Sequence, residues 1–202
     1  IRVGPRSAGA SPGPACYDTG GEDPTVTDAN LILGYINPVY LVGGDLKLNA
    51  GKARSVFTKR IAEPLSMELE RAAHGVYRIT VATMTRAIRA VSTERGRDPR
   101  RCTLFAFGGN GPVFAAQVAA TLGIRRILIP PSPGVFSAIG FLYADMEHHL
   151  SRTVSSLIDE VDLSGVIRAW EDLIREGKER LAADGFDADA MTLKRSATMR
   201  YV

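Results

Sequence analysis

The stretch Phe105-Ala106-Phe107-Gly108-Gly109-Asn110-Gly111-Pro112 decides how this chain of 202 residues is read. The run Cys102 to Phe107 has the length and composition of a strand buried on both faces, and Val113 to Leu122 has those of a helix. Glycines between a strand and a helix let the backbone approach a ligand closely. The free N–H groups at the helix start favour an anion or a polar nucleotide group. Gly108 to Pro112 has neither the GxGxxG spacing of a dinucleotide fingerprint nor the GKS/GKT ending of a phosphate loop. Two readings therefore stand side by side: a nucleotide-binding turn, or a tight strand-to-helix turn whose glycines serve packing.

Working outward, Gly123 closes the helix and Arg125 to Ile129 supplies a second strand before Pro130-Pro131. The order strand, turn, helix, strand predicts a βαβ unit, and with it an α/β fold with a mostly parallel sheet and right-handed crossovers. Upstream, Asn49 opens a short helix to about Ile61, and Pro64 fits the first turn of a longer one. The apolar positions Leu69, Ala72, Val76, Ile79, Thr83, Ala87 and Val91 predict its buried stripe, and Gly96 and Pro99 end it. Downstream, the pattern predicts a packed helix over Ser137 to Ala144 and a strand over His149 to Leu157. It then predicts an amphipathic helix over Val161 to Ala183, with Val166, Ala169, Trp170, Ile174 and Leu181 inward, and a last strand over Met191 to Val202. Three parts result: a Gly/Pro-rich site loop at 1–50, a helical and βαβ part at 51–145, and a strand-helix-strand segment at 146–202.

With 45% hydrophobic and 23% charged residues, the composition is that of a globular protein with a sizeable core. No apolar run approaches the roughly 18 residues of a membrane span, and Ile1 to Ala10 lacks signal-peptide order. Cys16 and Cys102 have no CxxC spacing, so a reducing cytoplasm is the expected location. Ile1 is not a start methionine and Arg200-Tyr201-Val202 reads as mid-strand, so the chain is expected to be an internal piece. Within a net charge of +3, basic residues dominate 51–101 and acidic ones 159–189. The arginines fall at helical spacing without interleaved aromatics, which argues for a solvated helix face and against nucleic acid.

A second motif, Pro24-Thr25-Val26-Thr27-Asp28-Ala29-Asn30, gathers oxygen atoms of Thr25, Thr27 and Asp28 suited to Mg²⁺, or alternatively to capping a helix that begins near Ala29. Cys16 is a candidate nucleophile or soft ligand, with a free loop thiol as the plainer reading. His148-His149 supplies at most one metal ligand if the segment is a strand, because neighbours there face opposite ways. His74 reads as a helix residue rather than a base.

Four motifs occur in order: Gly4 to Tyr17 (GPRSAGASPGPACY), Pro24 to Asn30 (PTVTDAN), Val91 to Arg100 (VSTERGRDPR) and Ala106 to Pro112 (AFGGNGP). Together they resemble the hydantoinase A / 5-oxoprolinase family, which includes ATP-dependent N-methylhydantoinases, 5-oxoprolinases and subunits of acetone and acetophenone carboxylases. The resemblance runs from Ile1 to about Asp145 and more weakly to Tyr201. It implies the fold shared by actin, Hsp70 and sugar kinases (ribonuclease H-like), with ATP held between two α/β domains. It makes Phe107, Gly108, Gly109, Asn110, Gly111 and Pro112 the adenosine-side turn and Asp28 a candidate catalytic group or Mg²⁺ ligand.

The resemblance further implies ATP and Mg²⁺ as cofactors, a cyclic amide substrate (hydantoin or 5-oxoproline), a hydantoinase B-type subunit or domain as partner, and an oligomer. The expected function is an ATP-dependent hydrolase that opens the ring after phosphoryl activation of the amide. The alternatives are a subunit of an ATP-dependent ketone carboxylase and a non-catalytic nucleotide-binding or assembly module. The phosphate turns of D-x-G-G-T type are expected before Ile1, so these residues alone are expected to be inactive. Phe114 stands where the family frequently has histidine, and Asp18 where glycine commonly follows Cys-Tyr.

Overall fold

Thr103–Phe105 (β1), Gly111–Leu122 (α4) and Arg126–Leu128 (β2) form the predicted βαβ unit. The two strands pair in parallel, with Leu104 opposite Ile127. Gly123 ends α4 at φ 71°, the left-handed C-cap that glycine adopts without a Cβ penalty. The computed structural model describes residues 1–39 and 44–200. It has one compact unit at Ile1–Gly140 and a second at Phe141–Val202.

In the first unit, Val26–Ile32 (α1), Ala50–Phe57 (α2) and Leu69–Val91 (α3) precede β1. Helix α1 is buried on nearly every side, with Ala29 against Phe57, Ala73 and Val76, and Leu31 against Cys16, Leu48 and Ala53. The long α3 joins α1 to the βαβ unit: Tyr77 and Val81 pack against Phe114, Val118, Ala119 and Leu122 of α4. Tyr77 and Phe114 stack with ring centroids 5.0 Å apart. This apolar ring occupies the Phe114 position completely and leaves it no polar role.

Several local expectations are corrected. Pro64 sits in its own 3-10 turn, Glu63–Leu65, which Ser66 ends at φ 51°, so the long helix begins only at Leu69. Its buried stripe matches the expected one at Ala72 and Val76 and then runs through Tyr77, Val81 and Thr85, while Thr83, Ala87 and Val91 are exposed. Two apolar arcs lie side by side on α3, and the one that meets the Phe114 ring is buried. Strand β1 is not buried on both faces, with Phe105 43% exposed, and β2 is exposed throughout. Among the described residues only these two strands pair.

The helix expected over Ser137 to Ala144 is instead Phe136–Phe141 (α5), and it has no buried residue. Phe136 reaches the turn, 5.2 Å from Phe105 and 5.5 Å from Phe107 between ring centroids.

The second unit is built on Leu163–Ala183 (α6), capped by Asp162, whose side chain accepts from Ser164 N–H. The expected inward residues Val166, Ala169, Trp170, Ile174 and Leu181 are half-buried. Neither His149 to Leu157 nor Met191 to Arg200 is a strand; the alternation there finds no partner strand among the described residues, and an unpaired strand leaves its backbone donors unmet. Tyr201 and Val202, the end of that expectation, lie outside the described residues.

Candidate functional site

The Gly/Pro-rich N-terminus closes on the side chain of Asp28. That carboxylate is fully buried and takes four hydrogen bonds. Oδ1 accepts from Cys16 N–H at 2.8 Å; Oδ2 accepts from Ala15 N–H at 3.3 Å, Thr25 N–H at 2.9 Å and the Thr25 hydroxyl at 2.7 Å. Thr25 in return accepts from Asp28 N–H, which completes a capping box at the start of α1. One residue thus starts the helix and pins the 3-10 turn Ala15–Tyr17 thirteen positions upstream. Both oxygens are engaged by protein donors, which does not suit direct coordination of Mg²⁺. Among the described residues no group of three His, Cys, Asp or Glu is placed to hold a metal.

Cys16 is fully buried beside this carboxylate. Burial first, then the Asp28 charge and a hydrogen bond to it, push the thiol up to about 12. It stays protonated at neutral pH, the opposite of what a nucleophile or a soft metal ligand needs. Asp18, next but one along, takes φ 59° in the left-handed region. Its carboxylate accepts from Asn49 Nδ2 at 3.0 Å and Lys52 Nζ at 2.9 Å, tying the loop to the start of α2. Those hydrogen bonds and the Lys52 charge hold it below the usual carboxylate range. Asn30, in the same motif, is fully buried and, among the described residues, neither amide atom has a hydrogen-bond partner.

The glycine turn is built differently. Phe107 is 42% exposed, its ring 5.4 Å from that of Phe105. Gly108 has φ 84° and donates its N–H to the Pro133 carbonyl at 2.7 Å, which fixes the turn to the loop before α5. A Cβ at Gly109 would meet nothing within 4 Å. Asn110 does not cap α4 with its side chain, and Gly111 and Pro112 open the helix. The first N–H groups of a twelve-residue helix therefore face an open turn, a geometry suited to a polar or anionic group. Among the candidate site residues the structure brings Asp28 together with Cys16 and Thr25; the bonds that hold it come from none of the residues 107–112.

The histidines stay outside any such cluster. His148 Nε2 lies 2.6 Å from Asp184 Oδ2 and His149 pairs with Glu147, both at the surface of the second unit. His74 is exposed and stacks near Tyr77.

The family model described as hydantoinase/oxoprolinase matches residues 1–150. The chain belongs to the hydantoinase/oxoprolinase family. It is 39% identical to caprolactamase subunit alpha of Pseudomonas jessenii, over all of this chain and 30% of the relative. It is 33% identical to 5-oxoprolinase 1 of Arabidopsis thaliana, over all of this chain and 17% of the relative. Among solved structures, nucleotide-free acetone carboxylase superposes with a TM-score of 0.73 at 29% identity, covering 94% of this chain and 28% of that one. The ATP-dependent caprolactamase superposes at 0.64 and 37% identity, covering 92% and 27%. The chain thus spans less than a third of the length of these relatives. No helix among the described residues is long and apolar enough to cross a membrane.

Proposed function

We propose that the intact protein is an ATP-dependent hydrolase that opens a cyclic amide, with the residues described here forming part of its nucleotide-binding body. The observation that carries this reading is the kinship to a caprolactamase subunit and a 5-oxoprolinase, whose names both denote cyclic amides, together with the open turn at Phe107 to Pro112. Resonance makes an amide carbonyl a poor electrophile. ATP, when bound, supplies a phosphoryl group that turns the amide oxygen into a leaving group.

This chain's own residues have two parts in that scheme. Phe107, Gly108, Gly109, Asn110, Gly111 and Pro112 receive and orient the adenosine side, with bare backbone and an uncapped helix start. Asp28 holds the Gly/Pro loop in shape as a positioning residue. The actin-like two-domain arrangement, a B-type partner subunit and Mg²⁺ carried with the nucleotide phosphates belong to the same proposal.

A second reading, a ketone carboxylase subunit, is favoured by the higher TM-score of the acetone carboxylase; the higher identity to the caprolactamase subunit favours the amide. The test is nucleotide turnover by the intact protein with hydantoin, 5-oxoproline, caprolactam, or acetone plus bicarbonate. Turnover stimulated by a cyclic amide is expected. Stimulation by the ketone alone would transfer the assignment to carboxylation, and no nucleotide binding with any of them would leave an assembly module.

A further inference from the structure

Among the described residues of the second unit Gly177 alone is buried. Val154, Leu157, Ile158, Ile167 and Met199 are all more than half exposed. A domain folds because apolar side chains leave water, at about 25 cal/mol for each Å² removed, and in this unit that gain is nearly absent. The buried apolar side chains of the described residues all lie between Ala15 and Ile124.

Two segments nevertheless lie against α6 in an ordered way. His148 pairs with Asp184 at 2.6 Å, Leu150 would touch a Cβ on Gly177 at 3.4 Å, and Arg152 pairs with Asp172 at 3.3 Å. Four residues of this segment thus keep pace with twelve positions of the helix and its C-cap, about 18 Å at 1.5 Å each. A helical run of four would cover about 6 Å and an extended one about 14 Å, with the long side chains reaching the rest. Residues 148–152 are therefore extended and run antiparallel to α6. The second segment leaves the 3-10 turn Ala188–Ala190 at Met191, whose φ of −86° and ψ of 126° lie in the β region. It carries the Arg195 guanidinium over the Trp170 ring, 5.8 Å from the centroid. Met191, Leu193, Ala197 and Met199 share the parity of Arg195, and every residue between them is polar, the alternation of a strand with one apolar side.

Two such segments against one helix have the layout of an α/β layer without its hydrogen bonds, since among the described residues no strand pairs with either. Their backbone groups call for neighbouring strands, and their apolar side chains for a cover. A separate protein is a poor source of both. A docking surface rests on a domain that already has a core, whereas this unit gains its core only with the cover in place. Covalently attached polypeptide supplies that cover at high effective concentration. More than two-thirds of the caprolactamase subunit and of the acetone carboxylase chain lies outside the part that these residues match.

We propose that 148–157 and 191–199 are strands of a sheet completed by strand-forming polypeptide of the same protein outside residues 1–202, with α6 covering one side. This goes beyond the reaction proposed above and does not depend on it. The test uses the intact protein with photo-leucine in place of leucine. Light-induced cross-links from Leu157 and Leu193 are expected to reach residues of the same polypeptide outside 1–202, in material that keeps the mass of a single chain on a denaturing gel. Amide hydrogen exchange over 150–156 and 192–198 is expected to be slowed about 100-fold or more relative to an unfolded chain, without the partner subunit present. Exchange at the unfolded rate would overturn the strands. Protection that requires the partner subunit, or cross-links confined to residues 1–202, to a second copy or to that subunit, would overturn the cover by the same polypeptide.

Discussion

A Cβ added at Gly21 would run into the carbonyl oxygen of Gly13 and the backbone of Pro14, whereas one added at Gly109 would meet no atom within 4 Å. In the N-terminal loop, glycine lets the chain pack against itself. The space is filled by backbone, and the remaining donors are gathered onto the buried Asp28. In the turn after β1, glycine leaves a surface clear, beside an uncapped helix start. Two glycine-bearing motifs of one sequence are thus built differently, the first packed on itself as a scaffold and the second left open, as the proposed nucleotide role of that turn requires.

The largest expected effect falls on the scaffold. Asp28→Ala strands three backbone N–H groups and the Thr25 hydroxyl in a buried place, and the expected loss is about 3 to 5 kcal/mol of stability. Thermal or urea unfolding of the intact protein measures it. Thiol labelling sharpens it: at pH 8 Cys102, which is exposed, should react in the native protein and Cys16 should not, until Asp28 is replaced and the loop opens. If Asp28→Ala unfolded at the same denaturant concentration as the unaltered protein, the scaffold half of the contrast would be gone.

Next comes the turn. Gly109→Val places its side chain in open space at an unstrained φ, so stability should change by no more than about 0.5 kcal/mol, the range of ordinary surface substitutions. If the turn has the proposed role, affinity for ATP should fall by about 10-fold or more, since the added branch would occupy the space which that proposal gives to the nucleotide. Calorimetric titration beside thermal unfolding separates the two quantities. Unaltered affinity in a folded Gly109→Val protein returns the turn to a packing role. The same experiment at Gly108 is less clean, because φ 84° there makes any side chain strained.

How far the sequence disclosed this follows from where each signal resides. The βαβ unit was legible because strand, helix and glycine stop are local patterns: Gly123, Pro112 and the apolar runs each act within a few residues. A cap was legible among Thr25, Thr27 and Asp28, but the helix was expected near Ala29 and begins at Val26 with Thr25 as its N-cap; Asp28 as the anchor of Ala15 and Cys16 was not legible, because it depends on a loop folding back over twelve residues. The stripe on α3 was missed beyond Val76 because two apolar arcs satisfy the helical period, and only the ring of Phe114, distant in sequence, selects between them. The strands expected at 149–157 and 191–202 had alternation, but a strand is a property of a pair, and alternation in one segment says nothing of its partner.

A smaller effect tests whether the scaffold is fully optimised. Among the described residues neither amide atom of the buried Asn30 is hydrogen-bonded, and a buried unmet amide costs stability. Asn30→Leu, close to isosteric, is expected to raise stability by about 1 kcal/mol. If the variant is more stable and also loses turnover, Asn30 serves the reaction rather than the fold. If it is destabilised, the amide has partners that the described contacts lack.

The smallest effect is expected at Asp18, where the two uses of glycine meet. Its φ of 59° is one that glycine adopts freely, so Asp18→Gly relieves strain in the folded loop. Against this, glycine makes the unfolded chain more flexible, and the substitution removes the bonds from Asn49 and Lys52. All of these are surface effects of opposite sign, so Tm should move by no more than about 2 °C at neutral pH. The pH profile is the more telling measurement. Asp18 is held below the usual carboxylate range in the folded protein, so its ionised form adds stability above the pKa of the unfolded chain. That contribution is lost as pH falls through the lower folded value. Stability of the unaltered protein should therefore decline more steeply on acidification below about pH 4 than that of Asp18→Gly, and the two curves should converge at low pH apart from the glycine terms. Parallel curves over that range would mean that the Lys52 and Asn49 bonds do not hold the loop, and that Asp28 alone sets its shape.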